Sequence, residues 1–264
     1  MRDKVVVVTG ASKGIGAELA RQLGRRGAKL VLAARNTAEL EKVAEDCRRA
    51  GASVITVKAD VAVEHDCLAM VSGAALAYGR IDVLVNNAGM TMWARFEEIA
   101  DLSILARIMQ VNYMGSVYCT AHALPYLRQS GGLVVGISSL AGRVGVPTRT
   151  GYSASKHAMG GFFDSLRVEL LGSGVDVTMI YPGFVATGIR ENATGPDGLP
   201  IEVSPVREGE VMRVEDCAAR IVRAIERRER EVVMTARGKM GLWLRLVAPA
   251  LVDRIARRAI ERGR

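Results

Sequence analysis

Histidine and cysteine are scarce in this chain, three and four residues in 264, and they are scattered. Cys47, Cys67, Cys119 and Cys217 have no C-x-x-C spacing, which argues against a zinc site or a disulfide framework and leaves four reduced thiols as the reading. His65, His122 and His157 are equally dispersed, so no metal is expected. No apolar run approaches the ~20 residues of a membrane span. The first apolar segment begins within four residues of Met1, which leaves no room for a signal peptide and points to a cytoplasmic protein. Internal repeats and low-complexity tracts are absent. The net charge of +8 is concentrated rather than spread: residues 237–264 hold eight Lys/Arg and two acidic residues, so they carry +6 and the 236 residues before them +2. That distribution argues against a basic face across the fold, and so against nucleic acid as partner.

What the sequence does have is apolar content and alternation. With 49% hydrophobic residues, the chain is long enough for one large core and short for two. Short β-branched runs recur at Val5–Val8, Leu30–Ala33, Val54–Val57, Val83–Val85, Leu133–Ile137, Val175–Ile180 and Glu231–Met234, with helical patterns between them. Strand and helix in alternation predict a single-domain α/β fold, a Rossmann-like doubly wound parallel sheet with helices on both faces. The expected domain spans residues 1–236, with 237–264 as a basic amphipathic extension.

Four motifs sit where such a sheet would place a ligand. Val5–Val8 runs into Thr9-Gly10-Ala11-Ser12-Lys13-Gly14-Ile15-Gly16 and then a helical pattern. A glycine-rich turn between strand and helix brings backbone N–H groups and the positive end of a helix to a pyrophosphate. Asn86-Asn87-Ala88-Gly89 follows one apolar strand and Ser138-Ser139 another. In Tyr152-Ser153-Ala154-Ser155-Lys156, the tyrosine and lysine are four residues apart and share a helix face. A phenol titrates near ~10 in water, and an adjacent ammonium favours its ionised form, which makes the pair a candidate proton-transfer device. Alone, Y-x-x-x-K is commonly two solvated side chains; its company gives it weight.

Taken with Asn112, these motifs resemble the classical short-chain dehydrogenase/reductases, in which they recur in this order. The resemblance runs from about Lys4 to Val233. The stretch from Leu124 to Glu169, with Ile137-Ser138-Ser139-Leu140-Ala141-Gly142 and Gly161-Phe162-Phe163-Asp164, is most similar to the 11β-hydroxysteroid dehydrogenase-like branch. The resemblance implies Tyr152 as general acid and Ser139, thirteen residues before it, as the hydroxyl that stabilises the developing oxyanion. It implies Lys156 as partner of the tyrosine and ligand of the nicotinamide ribose, and Asn112 as holder of a proton-relaying water. Gly10, Ser12, Lys13, Gly14, Ile15 and Gly16 would line the pyrophosphate. Asp60 and Val61 would meet the adenine, and Asn86, Ala88 and Gly89 the adenosine ribose side. In Tyr181-Pro182-Gly183-Phe184-Val185-Ala186-Thr187, the residues Pro182, Gly183, Val185 and Thr187 would hold the nicotinamide carboxamide. The family's usual assembly implies a homodimer or homotetramer.

The cofactor form is read at the end of the second strand, Leu30-Val31-Leu32-Ala33-Ala34-Arg35-Asn36, where NAD-preferring enzymes place a carboxylate on the ribose 2′-OH. Here that position is Ala34, Arg35 follows, and Lys13 adds a second cation, so NADP(H) is expected. The plainer reading, two solvated loop charges, stays open. The expected reaction is hydride exchange between a hydrophobic ketone or aldehyde and its secondary alcohol. NAD-dependent alcohol oxidation is the nearer alternative, and a non-catalytic cofactor-binding scaffold the further one. Met90, Met92, Trp93, Val144, Val146 and Phe184 are expected to wall the pocket, and residues of about 188–213 to form its lid. In the extension, Leu251, Val252, Ile255 and Ala259 make an apolar stripe beside arginines, with Pro249 as a break. Packing on the domain or a second subunit ranks ahead of peripheral contact with an anionic membrane.

Overall fold

The four consecutive valines of the first strand decide the architecture, because a strand apolar on both sides must be covered on both faces. In the computed structural model, which describes residues 1–187, 193–201 and 211–262 with side chains as far as Arg258, all four are buried. Val6 and Val8 face one apolar layer and Val5 and Val7 the other. The seven strands are β1 Val5–Thr9, β2 Lys29–Ala34, β3 Val54–Lys58, β4 Val83–Asn86, β5 Leu133–Ile137, β6 Asp176–Tyr181 and β7 Glu231–Val233. They form one sheet in the order β3-β2-β1-β4-β5-β6-β7, and every neighbouring pair is parallel.

The helices are α1 Gly14–Gly24, α2 Thr37–Arg49, α3 Glu64–Tyr78, α4 Ser103–Met109, α5 Gly115–Ser130, α6 Thr150–Glu169, α7 Val214–Arg227, α8 Ala236–Val247 and α9 Pro249–Arg262. Leu19 and Leu23 of α1, Leu40 of α2 and Ile221 of α7 cover one face of the sheet. Met70 of α3, Leu127 of α5 and Phe163 of α6 cover the other. The expected doubly wound architecture is therefore the observed one, each strand lying within a residue or two of its sequence-based position. The chain runs outward from β1 to β3 and then returns to place β4 on the other side of β1. At that reversal the carboxyl ends of β1 and β4 open into a crevice, the place where such sheets bind ligands.

One feature was not visible as spacing. Cys67 and Cys119, 52 residues apart, meet across α3 and α5 with their sulfurs 3.5 Å apart; all four cysteines are buried and unbridged. The expected lid, 188–213, falls largely outside the described residues. Of its described parts, Thr194 pairs with Met92 and Pro200, and Met212 pairs with Val185.

At the opposite end of the sheet, buried Asp82 fastens β1, β4 and β5 together. Its carboxylate accepts from the Val5 N–H at 2.9 Å, Lys4 Nζ at 3.0 Å and Arg80 Nη2 at 2.6 Å. Its backbone N–H donates to Val5 and its carbonyl accepts from Leu133. Burial pushes this carboxyl up, but the Arg80 guanidinium, the Val5 N–H and Lys4 together outweigh it and hold it below its ordinary value. Stability drawn from a carboxyl so lowered is present above the unfolded value of ~3.9 and lost as pH falls through the folded one. Asp82→Ala should lower unfolding stability by about 2–3 kcal/mol at neutral pH, the range for hydrogen bonds to a buried charge. Urea titrations of both proteins at pH 7 and below pH ~4 check this, the difference shrinking in acid.

Candidate active site

The glycine turn is built around a close approach of backbone to backbone. Gly10 has φ +64°, and a Cβ placed on it would lie 2.8 Å from Ala88 Cα. A Cβ on Gly16 would lie 2.4 Å from the Gly10 carbonyl oxygen. Both positions therefore need glycine, the first for its conformation and the second for space. Asn87 locks this approach: its Nδ2 donates to the carbonyls of Thr9 at 2.8 Å and Gly10 at 3.2 Å. The N–H groups of Asn87 and Ala88 donate to Thr9 Oγ1, each at 3.0 Å. Lys13 stands at the start of α1 and no side chain caps that helix, which leaves the positive end of the helix dipole beside the glycine turn without a side-chain acceptor. Ser12 and Ile15 are half-buried in the turn, Ile15 against the core.

Arg35 lies just beyond β2, beside the Ala34 position, with its side chain 76% exposed and a nitrogen 3.8 Å from Asp60 Oδ2. Asp60 itself accepts from the Ala62 N–H at 3.0 Å, capping the turn after β3. Val61 packs against Gly115, where a Cβ would come within 2.8 Å of its side chain. Asn86 is buried on β4 and its Nδ2 donates to Thr120 Oγ1 of α5 at 3.1 Å. Thr187 approaches the glycine turn, 3.3 Å from a Cβ placed on Gly14. Leu140 N–H donates to the Pro182 carbonyl at 2.9 Å, and Gly183 lies against Thr235. The Met212 N–H donates to the Phe184 carbonyl and the Ala186 N–H to the Met212 carbonyl, each at 2.9 Å, on either side of the pairing of Val185 with Met212.

On α6, Tyr152 and Lys156 are both buried, and Lys156 Nζ sits 6.0 Å from the tyrosine ring centroid. The ammonium donates to the Ile137 carbonyl at the end of β5, at 2.8 Å. Burial pulls its pKa down from the ordinary lysine value to about 8. Asn112 lies in a five-residue π-turn, Gln110–Met114, between α4 and α5. Its amide is fully engaged: Nδ2 donates to the Met90 carbonyl and to Ser155 Oγ, both at 2.9 Å, and Oδ1 accepts from the Met90 N–H at 2.8 Å. Gly89 fits between these groups, a Cβ there lying 3.1 Å from Asn112 Oδ1 and 3.7 Å from Lys156 Nζ. The two serines after β5 separate cleanly. Ser138 is buried and its Oγ donates to the Lys156 carbonyl at 3.3 Å, whereas Ser139 is half-buried and only accepts, from the Ala141 N–H at 3.2 Å. Ser139 thus keeps its proton for another partner.

Four residues escaped the sequence reading. Thr9 and Asn87 hold the glycine turn to the end of β4; Asn87 stood inside a quoted motif without a role. Ser155 accepts from Asn112 and donates to the Tyr152 carbonyl at 2.8 Å, and its place one turn after the tyrosine was the available signal. Arg149 is the fourth. Its guanidinium carbon lies 4.6 Å from the Trp93 ring centroid and 5.4 Å from those of Tyr152 and Phe184. Of the expected pocket wall, Met92 is buried against Tyr152, Ala94 and Ile108 with Met90 and Val146 beside them, while Trp93 and Phe184 hold this cation instead.

The glycine turn after β1, the polar groups after β4 and β5 and the buried tyrosine-lysine pair lie together at the sheet's carboxyl end, Gly10 against Ala88 and Gly89 between Asn112 and Lys156. Across residues 4–197 the sequence matches the short chain dehydrogenase family. The protein is a short-chain dehydrogenase/reductase, an oxidoreductase family. It is 38% identical over 258 residues to a dehydrogenase/reductase SDR family protein 7-like protein of Dictyostelium discoideum, covering 96% of this chain and 80% of that one. It is 39% identical over 260 residues to 11-beta-hydroxysteroid dehydrogenase 1A of Arabidopsis thaliana, covering 95% of this chain and 73% of that one. Among solved structures, a short chain dehydrogenase/reductase from Burkholderia phymatum in complex with NAD superposes with a TM-score of 0.84 at 28% identity, covering 95% of each chain. An alcohol dehydrogenase from Thermococcus sibiricus complexed with 5-hydroxy-NADP gives 0.73 at 26% identity, over 85% of this chain and 91% of that one.

The buried Lys156 has a thermodynamic signature. Its folded value of about 8 is below the unfolded ~10.4, so between these pH values the unfolded chain binds more protons and stability from this group rises with pH. Below pH 8 the full cost of the buried ammonium is incurred, on the order of 3 kcal/mol. Lys156→Met should therefore raise stability at pH 7, by ~1–3 kcal/mol, while removing turnover. Thermal unfolding against pH checks it: the gain should shrink towards pH ~10, and a destabilised variant would contradict a costly charge.

Proposed function

We propose that this reductase exchanges hydride between NADPH and a hydrophobic ketone or aldehyde, giving the secondary alcohol, with Tyr152 as acid and base. The observation that carries the reading is the buried pairing of Tyr152 with Lys156 beside a Ser139 whose hydroxyl proton is uncommitted. NADPH, when bound, supplies the hydride. Ser139 then donates to the carbonyl oxygen as negative charge develops there, and Tyr152 delivers the proton from the phenol. Lys156 donates to the Ile137 carbonyl and, more weakly at 3.8 Å, to Met159 Sδ, which leaves a third donor for a ribose hydroxyl. Asn112 is held by Met90 and Ser155, so its contribution is to fix the Met90 segment against α6; the water-holding role implied by the resemblance would run through its neighbours.

NADPH over NADH rests on the lack of a carboxylate at Ala34 and on Arg35 next to it. The Arg35–Asp60 pair is long and exposed, and such pairs contribute little, so a 2′-phosphate can take over the guanidinium. The apolar substrate rests on the Met90, Met92 and Val146 cluster around Tyr152 and on relatives named for a steroid dehydrogenase activity.

Initial rates with NADPH and NADH on a panel of aromatic, aliphatic and steroid ketones test the proposal. Tyr152→Phe should lose at least ~10²-fold in turnover with NADPH binding retained, the range for general acid catalysis. A variant with near-normal turnover would remove Tyr152 from the mechanism. Arg35→Asp should move cofactor preference towards NADH, and an unchanged preference would place recognition of the 2′-phosphate elsewhere.

A further inference from the structure

The C-terminal helices leave the packed domain. α8 rests on β7, α9 packs on α8, and the apolar side chains that should seek cover face outward instead. Met240, Trp243, Leu246 and Val247 of α8 are between 67% and 82% exposed. Met240, Trp243 and Val247 follow a three-and-four spacing that puts them on one stripe, with Leu246 one turn beyond Trp243. Leu251 and Ile255 of α9 are also exposed. A recess of about 320 Å³ opens beside this ridge, lined by Val233, Lys239, Leu242, Trp243 and Leu246 with Glu231. Single exposed apolar residues are ordinary, but a grouping of this size on adjoining helices marks an interaction surface.

The charges identify the partner. Arg237, Lys239, Arg245, Arg254, Arg257 and Arg258 are exposed around the apolar side chains, and Asp253 is the acidic residue among the described side chains of these helices. A second copy applied to the same face would set one cationic cluster against another, since a two-fold contact is self-complementary only if its charges alternate. The domain itself leaves the ridge uncovered. No described helix is long and apolar enough to cross a membrane, so α8 and α9 can lie on a bilayer but not span it. Trp243 at the ridge and arginines at its margins are the side-chain types that settle at the boundary between headgroups and acyl chains. Pro249 begins α9 and, with Ala248, sets the elbow that lets both helices present apolar residues.

We propose that α8 and α9 form a docking surface for an anionic lipid bilayer, with Met240, Trp243, Leu246 and Val247 inserted and the arginines on lipid headgroups. The surface is joined to the catalytic domain: Thr235 caps α8 by accepting from the Gly238 N–H at 3.0 Å, Gly238 packs against Leu140, and Arg245 donates to the Arg143 carbonyl. The segment after Ser139 and the first turn of α8 are thus in contact, and a docked domain would hold its catalytic crevice at a fixed attitude to the lipid.

Flotation of the full chain with vesicles of phosphatidylcholine alone, or with phosphatidylglycerol added, tests this. Binding is expected to the phosphatidylglycerol vesicles at low salt, falling as salt is raised. The pair Trp243→Ser and Leu246→Ser, at exposed positions, should keep the parent melting temperature and lose at least ~10-fold in bound fraction. Arg254→Gln with Arg258→Gln should weaken binding by roughly five-fold per charge. Absence of binding to either vesicle, or equal binding by the serine pair, would overturn the proposal. So would a dimer, by light scattering, that the serine pair dissociates and that does not float, since a second copy would then own the face. None of these outcomes depends on turnover, so the enzymatic proposal stands or falls separately.

Discussion

A lysine ammonium buried to 4% exposure with one carbonyl and one thioether sulfur for company is unfavourable until it gains further partners, and the site is arranged around that fact. The Ile137 carbonyl exists as an acceptor because β5 ends there, and Ser138 then ties the strand back to α6 by bonding the Lys156 carbonyl. The same turn leaves Ser139 to face the crevice. Gly89 closes the other side, where any side chain would press on Asn112 and approach Lys156. The end of β5, the turn after it, α6 and the segment at Gly89 thus converge on one unfavourable charge. A ligand rich in hydroxyls or phosphate is the natural relief for such a group.

A second local cost lies just before α6. Thr148 has φ +66°, unusual for a β-branched residue, and such conformations are typically worth ~1–3 kcal/mol of strain. Its carbonyl accepts from the Ala94 N–H at 3.0 Å, which joins the segment before α6 to the segment after Gly89. The turn delivers Arg149 into the space between Trp93, Tyr152 and Phe184. A guanidinium stacked on three rings keeps those rings at set distances from the phenol, so the wall of the crevice is held by a cation as well as by apolar contact.

The fold was legible because its signals are local. Val5–Val8, Leu133–Ile137 and their counterparts are continuous apolar runs, and in a parallel sheet covered on both faces such runs can be little else than strands. The candidate catalytic set could be named from sequence because a known family keeps these residues in order. Asn87, Thr9 and Ser155 were harder, since their work is to bond backbone groups that only the folded chain brings near. The Cys67–Cys119 meeting was beyond spacing altogether, being the product of two helices laid side by side. The exposed face of α8 was not legible either: an amphipathic pattern shows that a helix has an apolar side, not which surface that side meets.

The π-turn at Gln110–Met114 has a consequence for how this chain can vary in length. A π-turn holds one residue more than the α-helical turn it replaces, so the helix downstream is rotated by about 100° relative to an uninterrupted one. α5, with Cys119 and Leu127 facing the sheet, is in register only because of that additional residue. Loss of any one residue in the turn would send Asn112 and the whole inner face of α5 out of phase together. The site and the core on that side are therefore bound to the same count of residues, and a length change at the site could not be confined to the site.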